Sequence, residues 1–317
     1  MSEAGARPYI AMATGLCAVS TAALFIRLSL DHIDPLPVAA WRLAVSSLVL
    51  WAYVVARGQV PRPPRQVLGL CALAGVALAV HFMTWVSSLD LTTVAASTTL
   101  VATYPLMVAV ASPLILRETP RRLVLVAVIV GMVGIVLIAL DSGNPLSGDI
   151  AGNALALAGA AAAAVYFLFG RSVRPRLPLL AFISIVYGIA ALVLVPVALA
   201  SGTRVLPDEA EGYLWLILLA LVPQLVGHSS FNYALGHLPA SFVTLVILGE
   251  PVLSTLLAVV FLDEIPGPWV YAGMAVLFAA ILVASLDEQR RLRSTALPGP
   301  EGAPLASLPS TQAGSML

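Results

Sequence analysis

The chain has 317 residues, of which 60% are hydrophobic and only 10% are charged. Soluble domains are about 25% charged, and the mean hydropathy here is +0.99. The composition therefore excludes an ordinary soluble domain and indicates a protein that crosses a membrane several times. The formal net charge is zero, which gives no sign of a nucleic-acid partner. Cys17 and Cys71 lie inside apolar segments without metal-site spacing, so we predict no metal and no cofactor.

Ten apolar segments are long enough to cross a bilayer as helices, since about 20 residues suffice at about 1.5 Å each. We read the first as a retained helix rather than a cleavable signal peptide. The short loops predict antiparallel neighbours in a compact bundle. The predicted spans are 9–28, 36–56, 66–89, 93–116, 122–140, 149–170, 178–200, 212–235, 240–262 and 268–286.

Arginine orients the predicted bundle, because the cytoplasmic loops of membrane proteins carry an excess of positive charge. If the N-terminus is inside, the outer loops collect most of the acids. Both termini are therefore predicted to be cytoplasmic, and we place the protein in a bacterial inner membrane. The inner segments then hold most of the 16 basic residues, namely Arg7, Arg57, Arg62, Arg65, Arg117, Arg121, Arg122, Arg171, Arg174, Arg176, Arg290, Arg291 and Arg293.

The ninth span carries a single ionisable group near its middle, Glu250. An acid at the centre of a bilayer costs about 2.5–3.5 kcal/mol on insertion scales, so Glu250 is not expected to face lipid. Gly249 precedes it and Pro251 follows it, and the proline should kink the helix because it cannot donate a backbone hydrogen bond. A charge and a helix kink at the same depth indicate a functional site.

The fourth span resembles the ninth when the numbering is shifted by 146. Both spans then have a proline at mid-helix, Pro105 and Pro251, and Tyr104 takes the place of Glu250. The remaining identities are Leu89 with Leu235, Thr98 with Thr244, Leu116 with Leu262, Glu118 with Glu264 and Pro120 with Pro266. The pattern predicts a tandem duplication whose halves diverged at the centre.

Five spans per repeat is an odd number, so the second repeat should be inverted relative to the first. The predicted fold is therefore an all-α polytopic membrane protein of ten transmembrane helices in two inverted five-helix repeats. We assign residues 1–146 to the first repeat and 147–286 to the second. The remainder, 287–317, is rich in Pro, Ser, Ala and Gly, and we predict a disordered cytoplasmic tail.

Several polar and aromatic residues inside the spans are candidates to line a solute pathway. His81 and Trp85 share a helix face, and three polar residues of the eighth span recur every four positions. Pro105, Gly249 and Pro251 are predicted to shape the backbone as hinges, and no residue is predicted to be catalytic. The predicted substrate-binding residues are Arg42, His81, Trp85, Tyr104, Gln224, His228, Asn232 and Glu250.

Each candidate also has a structural alternative. Arg42 would pair with a helix end or an acid such as Asp34, and His81 would make a hydrogen bond between helices. Trp85 and Tyr166 would belong to an interfacial aromatic belt, whereas Tyr187 stays undecided. The polar stripe of the eighth span would join helices, and Glu250 would be a protonated acid bonded to a neighbouring helix. The small residues Gly131, Gly134 and 159–164 are interpreted as packing positions.

The strings LGEPVLSTLLAVVFLDEIP (248–266) and AAWRLAVSSLVL (39–50) resemble the EamA-type drug/metabolite transporter superfamily. This resemblance covers residues 9–286 and implies a central cavity, alternating access and small organic solutes, including amino acids, that are often exported. Glu250 and Arg42 match recurrent positions of that pattern. Tyr104 departs from any scheme that needs paired carboxylates.

We therefore favour a secondary transporter of a small organic metabolite such as an amino acid, and we predict that it works as an exporter. Its partners would be the solute, the lipid bilayer and protons, with facilitated diffusion equally compatible. A lipid or polyprenyl-carrier translocase is the alternative. A membrane-embedded enzyme is disfavoured because the sequence lacks HExxH, GxSxG and P-loop motifs. The solute and the oligomeric state stay open.

Overall fold

The computed structural model describes residues 3–91, 97, 100–141, 150–262 and 267–296, and this part of the chain contains helices but no strand. Thr98, Glu264, Pro266 and residues 297–317 of the predicted tail lie outside it. The helices are α1 (Glu3–Ser20), α2 (Ala22–Leu30), α3 (Pro35–Ala56), α4 (Arg65–Leu91), α5 (Tyr104–Ile115), α6 (Arg122–Asp141), α7 (Ile150–Val173), α8 (Leu179–Ala200), α9 (Ala210–Leu219), a π-helical segment (Ala220–His228), α10 (Ser229–Leu235), α11 (Ala240–Ile247), α12 (Glu250–Leu262) and α13 (Pro268–Ala296).

Eight described segments are long and apolar enough to cross a membrane, so the chain is a multi-pass membrane protein. They match eight of the ten predicted spans. The other two predicted spans correspond to shorter apolar helices, Tyr104–Ile115 and Arg122–Ile138, and part of 93–116 lies outside the described residues. The last helix continues to Ala296, ten residues beyond the predicted boundary at 286. Its extension is rich in Glu, Gln and Arg, which favour helix.

Helices of the first half pack mainly on helices of the second half. Helix α4 packs along α7, and α1 packs along the π segment and α10. Helix α3 packs on α8, α6 on α13, and α5 on both α7 and α11. If the predicted halves are exchanged, the α4–α7 contact maps onto the contact of α1 with the π segment and α10, and the α5–α7 contact maps onto a contact between α1 and α12. Taken as whole spans, the α3–α8, α6–α13 and α5–α11 contacts each map onto themselves. The bundle therefore has one core shared by the two halves rather than two separate cores.

Glycines allow the closest of these helix contacts. A Cβ atom at Gly159 would lie 3.1 Å from Thr84 Oγ1, and one at Gly15 would lie 3.1 Å from Ser230 Cβ. Gly134 and Gly273 bring α6 and α13 together in the same way, since a Cβ at Gly134 would lie 2.8 Å from a side-chain atom of α13. The packing interpretation of Gly134 and Gly159 agrees with these contacts, because small residues allow membrane helices to approach closely.

The predicted kinks are complete helix breaks in the structure. Helix α11 ends at Ile247 and α12 begins at Glu250, with Pro251 in its first turn. In the first half, α5 begins at Tyr104 with Pro105 in its first turn. Proline is tolerated there because the first N–H groups of a helix have no partner within that helix. A half-helix therefore begins inside the bundle at each position where a kink was predicted.

The first span is also broken, at the same depth as the ninth. Helix α1 ends at Ser20, and the Thr21 hydroxyl donates back to the Ala18 carbonyl at 2.8 Å. Ser254 Oγ donates to the Ser20 carbonyl at 3.0 Å, and Ser20 Oγ lies 3.5 Å from the Glu250 carbonyl. Serine hydroxyls thus satisfy backbone groups that the breaks expose, as backbone inside a membrane requires.

Candidate functional site

Arg42, on α3, is the centre of the polar interior. Its side chain is 2% exposed, and its Nε donates to Gln224 Oε1 at 2.7 Å. Its guanidinium carbon lies 4.4 Å from the centroid of the Phe82 ring. A buried arginine needs such partners because an unpaired charge in a low-dielectric interior is costly.

The alternative partner predicted for Arg42 was wrong. Asp34 instead accepts a hydrogen bond from the Arg204 backbone N–H at 2.7 Å. The correct partner, Gln224, is 182 residues away in sequence. Pairing over such a distance depends on how the helices pack, which no local sequence pattern reports.

Glu250 is the first residue of α12, and its side chain is half-buried. The positive end of a helix dipole at this position stabilises a carboxylate. Glu250 lies close enough to Arg42 for the two charges to interact, but the described residues include no ion pair between them within 4.0 Å. The interior thus holds a guanidinium and a carboxyl group that lie near each other without direct contact.

Tyr104, the counterpart of Glu250, is the first residue of α5. Its ring stacks on Phe167 of α7 with centroids 5.6 Å apart, and its hydroxyl lies near Glu250. The structure therefore brings the starts of the two half-helices to the same region of the bundle. One start carries a carboxyl group and the other carries a phenol.

Phe82, which the Arg42 guanidinium contacts, is part of an aromatic wall. His81 stacks on Trp85 with centroids 5.8 Å apart, and Phe82 meets His228 edge to face at 5.8 Å. His81 Nδ1 is 2.9 Å from the Gly159 carbonyl, so this nitrogen carries the proton and donates. The structural alternative for His81, a hydrogen bond between helices, therefore agrees with the contact that Nδ1 makes. Trp85 is half-buried in this wall, and its ring packs against Phe82, the ring that Arg42 contacts.

The polar stripe of the eighth span does not lie on a regular α-helix. Gln224 and His228 belong to the π-helical segment, which contains Pro223, and Asn232 lies in α10. The Ser46 hydroxyl donates to the Ala220 carbonyl at 3.0 Å where this segment begins. Short π segments often mark functional positions. Pro223 is the local signal that could have indicated an irregular helix here, although no prediction used it.

Asn232 binds two tyrosines on the side of the bundle toward the end of α10. Its Nδ2 donates to the Tyr166 hydroxyl at 2.6 Å and lies 3.3 Å from the Tyr187 hydroxyl. Tyr187 also contacts the Ser229 hydroxyl at 3.3 Å. The belt interpretation of Tyr166 was wrong, because its side chain is 1% exposed. Asn232 joins helices here, as the structural alternative for the stripe proposed.

Several buried polar atoms around Arg42 have no hydrogen-bond partner among the described residues. They are Trp85 Nε1, Gln224 Nε2 and His228 Nδ1, together with Asn232 Oδ1 farther along the stripe. Gln224 Nε2 lies near the Tyr187 hydroxyl without an acceptable hydrogen-bond geometry. Buried polar atoms are normally satisfied, so these positions are available to a solute or to water. Two of the four atoms, Trp85 Nε1 and Gln224 Nε2, are obligate donors.

The structure thus groups Arg42, His81, Trp85, Gln224, His228 and Glu250 with Phe82; we call this group the central cluster. Asn232 lies apart from it, in the tyrosine network, and Tyr104 borders it through Glu250. Phe82, Phe167, Tyr166 and Tyr187 are contact residues that sequence reasoning missed or left undecided. Aromatic residues are common in apolar helices, so their presence in the sequence did not show which of them face the interior.

Near the surface, away from this cluster, His32 Nδ1 approaches Glu209 Oε2 at 3.9 Å. With Glu211 these groups place potential ligand atoms within 4.8 Å of one another. Both acids are exposed, and exposed acids often lie this close without binding a metal. We assign this group no role.

Comparison with known proteins identifies the family. The model of the EamA-like transporter family matches residues 7–140 and 150–286. The uncharacterized inner membrane transporter YedA of Escherichia coli K12 is 28% identical over 81% of this chain and 84% of its own length. The uncharacterized transporter YwfM of Bacillus subtilis is 25% identical over 70% of this chain and 75% of its own.

One solved crystal structure shares the fold, with a TM-score of 0.75 and 20% identity over 89% of this chain and 99% of the other. The two family matches together cover most of the sequence, one in each predicted half. Each matched region contains one of the two half-helix starts, Tyr104 in the first and Glu250 in the second. The chain therefore belongs to the EamA-like transporter family and is a membrane transporter.

Proposed function

We propose that this protein is a secondary transporter that exports a small organic metabolite bearing both a carboxylate and an amine, such as an amino acid. The observation that carries this proposal is the pair of Arg42 and Glu250. They place a guanidinium and a carboxyl group near each other in the interior of an apolar bundle, but outside ion-pair distance. A zwitterion placed between them would neutralise both charges.

The chemistry around Arg42 suits the carboxylate end of such a solute. Nε of Arg42 is bonded to Gln224, and no described residue accepts a hydrogen bond from its two terminal nitrogens. These nitrogens and the unpaired Gln224 Nε2 are donors, as a carboxylate requires. Glu250 supplies the acceptor for an ammonium group. The rings of His81, Trp85 and Phe82 would contact the apolar part of the solute.

We further propose alternating access between two inverted repeats, residues 1–146 and 147–286, in a bacterial inner membrane. The exchange symmetry of the helix contacts supports this arrangement. Broken helices at the interface of inverted repeats are a recurrent transporter design. The half-helices α5 and α12 are the elements that would move, because Pro105, Gly249 and Pro251 interrupt the backbone ladder where each begins. The predicted direction is outward from the cytoplasm.

Lipid or polyprenyl transport is less well supported. A groove on the outside of the bundle is lined by apolar residues of α3, α8 and the loop before α9, including Trp41, Leu48, Leu199 and Leu206. No residue of the central cluster lines this groove. A lipid carrier would need its polar site to open toward the bilayer, and the residues that line this groove are not those of the central cluster.

Proteoliposomes test the proposal directly. Vesicles that contain the purified protein are loaded with a mixture of labelled amino acids, amines and carboxylic acids, and the efflux of each compound is followed. We expect efflux of at least one amino acid, abolished in the double variant Arg42→Met/Glu250→Gln. If no compound leaves the vesicles under any ion or solute gradient, the proposed function is wrong.

A proton gradient across the same vesicles tests energy coupling. If Glu250 carries a proton through the cycle, the gradient drives accumulation of solute against its concentration, and a protonophore abolishes that accumulation. Equilibration without accumulation would instead indicate facilitated diffusion through the same site.

A further inference from the structure

One arginine joins the ends of three helices at the end of the bundle that is predicted to be cytoplasmic. We call this end the arginine-rich end, because most of the arginines belong to its loops. Arg171 Nε donates to Glu118 Oε1 at 2.6 Å, and Arg171 Nη1 donates to the Leu235 carbonyl at 2.8 Å. Glu118 follows α5, Arg171 lies near the end of α7, and Leu235 ends α10. The side chains of Arg171 and Glu118 are 18% and 28% exposed, so water screens this pair less than it screens a surface pair.

The local backbone holds Glu118 in place. Arg117 adopts a φ of 56°, a left-handed conformation that is uncommon for residues other than glycine. The turn lets the Glu118 N–H bond the Ser112 carbonyl at 3.3 Å. Pro120 then prevents the helix from continuing. The carboxylate therefore follows the position of α5 closely.

The ion pair connects the two halves of the protein. Glu118 belongs to the first half, whereas Arg171 and Leu235 both belong to the second. A separation of the halves at this end must break the bond between Glu118 and Arg171, but it leaves the bond between Arg171 and Leu235 intact. This end is closed in the structure, because Asn232 and Tyr187 are 0% exposed between the central cluster and the ion pair.

Helix α5 connects this ion pair to the central cluster. It begins at Tyr104, which borders Glu250 and stacks on Phe167. Its 12 residues extend over about 18 Å at about 1.5 Å per residue. Since the backbone is interrupted before Tyr104, a shift of α5 at the cluster would displace Glu118 relative to Arg171.

We propose that Glu118 and Arg171 form a latch that holds the arginine-rich end closed and that breaks when the solute pathway opens at that end. The inference rests on the proposed transport function. The opposite end repeats the same residue types in sequence. Arg27 follows Gly15 at the spacing at which Arg171 follows Gly159, and Leu89 and Glu264 align with Leu235 and Glu118. Arg27 is exposed in this structure.

Thiol labelling without any added solute tests the latch. Ser229, 8% exposed, lies on α10 between the central cluster and Leu235, so Ser229→Cys reports opening at this end. The background carries Cys17→Ser and Cys71→Ala, which remove the native cysteines. We expect Glu118→Ala to raise the rate of labelling by a membrane-impermeant reagent about threefold to tenfold, equivalent to about 0.7–1.4 kcal/mol. Glu118→Gln should have a smaller effect, because its amide oxygen still accepts from Arg171.

Arg121→Ala is the matched control. Arg121 pairs with Asp287 at 2.5 Å, next to the same loop and also between the halves, but it joins α6 to α13, which pack through Gly134 and Gly273. Its loss should leave the labelling rate unchanged. The latch is refuted if Glu118→Ala labels like its parent, or if Arg121→Ala produces the same increase.

Melting temperatures of the purified variants confirm folding. If Glu118→Ala does not fold, Glu118→Gln replaces it: loss of the negative charge should still raise the labelling rate, and a rate equal to that of its parent refutes the latch. Since labelling needs no solute, a negative result leaves the transport proposal standing. Conversely, vesicles that transport nothing leave the labelling result interpretable.

Discussion

The strongest test of the site is to remove Arg42 and to vary the solute at the same time. If Arg42 binds a carboxylate, Arg42→Met should weaken binding of an amino acid but not of the amine that lacks its carboxylate. Comparing the two solutes cancels any general damage that the substitution causes, as a double-mutant cycle does. Arg42→Lys serves as a second variant that keeps the positive charge.

The size of the effect follows from the contacts of Arg42. Its Nε stays bonded to Gln224, so the carboxylate would be bound through the terminal nitrogens. A hydrogen bond to a charged group contributes about 1.5–3 kcal/mol, which corresponds to about a 10- to 150-fold change in Kd. Arg42→Lys should lie between wild type and Arg42→Met, because lysine lacks the planar fork that matches a carboxylate.

Calorimetry on the purified protein, or a thermal shift with each solute, measures the four affinities. The expected result is a loss of about 10-fold or more for the amino acid and a change below about threefold for the amine. Equal losses for both solutes would contradict the reasoning. Arg42 would then support the site only through Gln224 and Phe82.

Three further substitutions test other parts of the structure. Glu250→Gln cannot exchange a proton at this position, so accumulation driven by a proton gradient should be lost while solute exchange at equal pH persists; unchanged accumulation would show that Glu250 does not couple transport to protons. Asn232→Leu removes the amide that donates to the Tyr166 hydroxyl and leaves Tyr187 with Ser229, and it should lower the free energy of unfolding by about 1–3 kcal/mol; an unchanged melting temperature would mean that this network contributes nothing to stability. Gly273→Ala forces α6 and α13 apart and should destabilise by about 1–3 kcal/mol, whereas Gly69→Ala, where nothing lies within 4 Å of the added Cβ, should melt like wild type.

Much of the site could be expected from local sequence signals. Glu250 and Arg42 stand out because an ionisable group inside an apolar segment is costly unless it has partners. Pro105 and Pro251 indicated irregular backbone because proline cannot donate to the helix ladder. The structure places a helix start at each of these prolines, although the sequence alone predicted only a kink.

The partners of these residues were not predictable in the same way. Arg42 was given Asp34 as a possible partner and meets Gln224 instead. Tyr166 was assigned to the interface and is buried against Asn232. Both errors concern contacts between distant segments, which depend on the rotation and depth of each helix. The π segment at Ala220–His228 also changes the register of the eighth span.

The sequence by itself determined the membrane class, most of the spans, the irregular backbone at Pro105 and Pro251, and the family. These properties follow from hydropathy and from proline and glycine, which act over a few residues and are read one segment at a time. Only the tertiary structure decided that Arg42 meets Gln224 and Phe82, that Asn232 binds two tyrosines, and that Arg171 connects Glu118 to Leu235. Those contacts require packed helices from both halves, and packing is a property of surfaces that single segments do not specify.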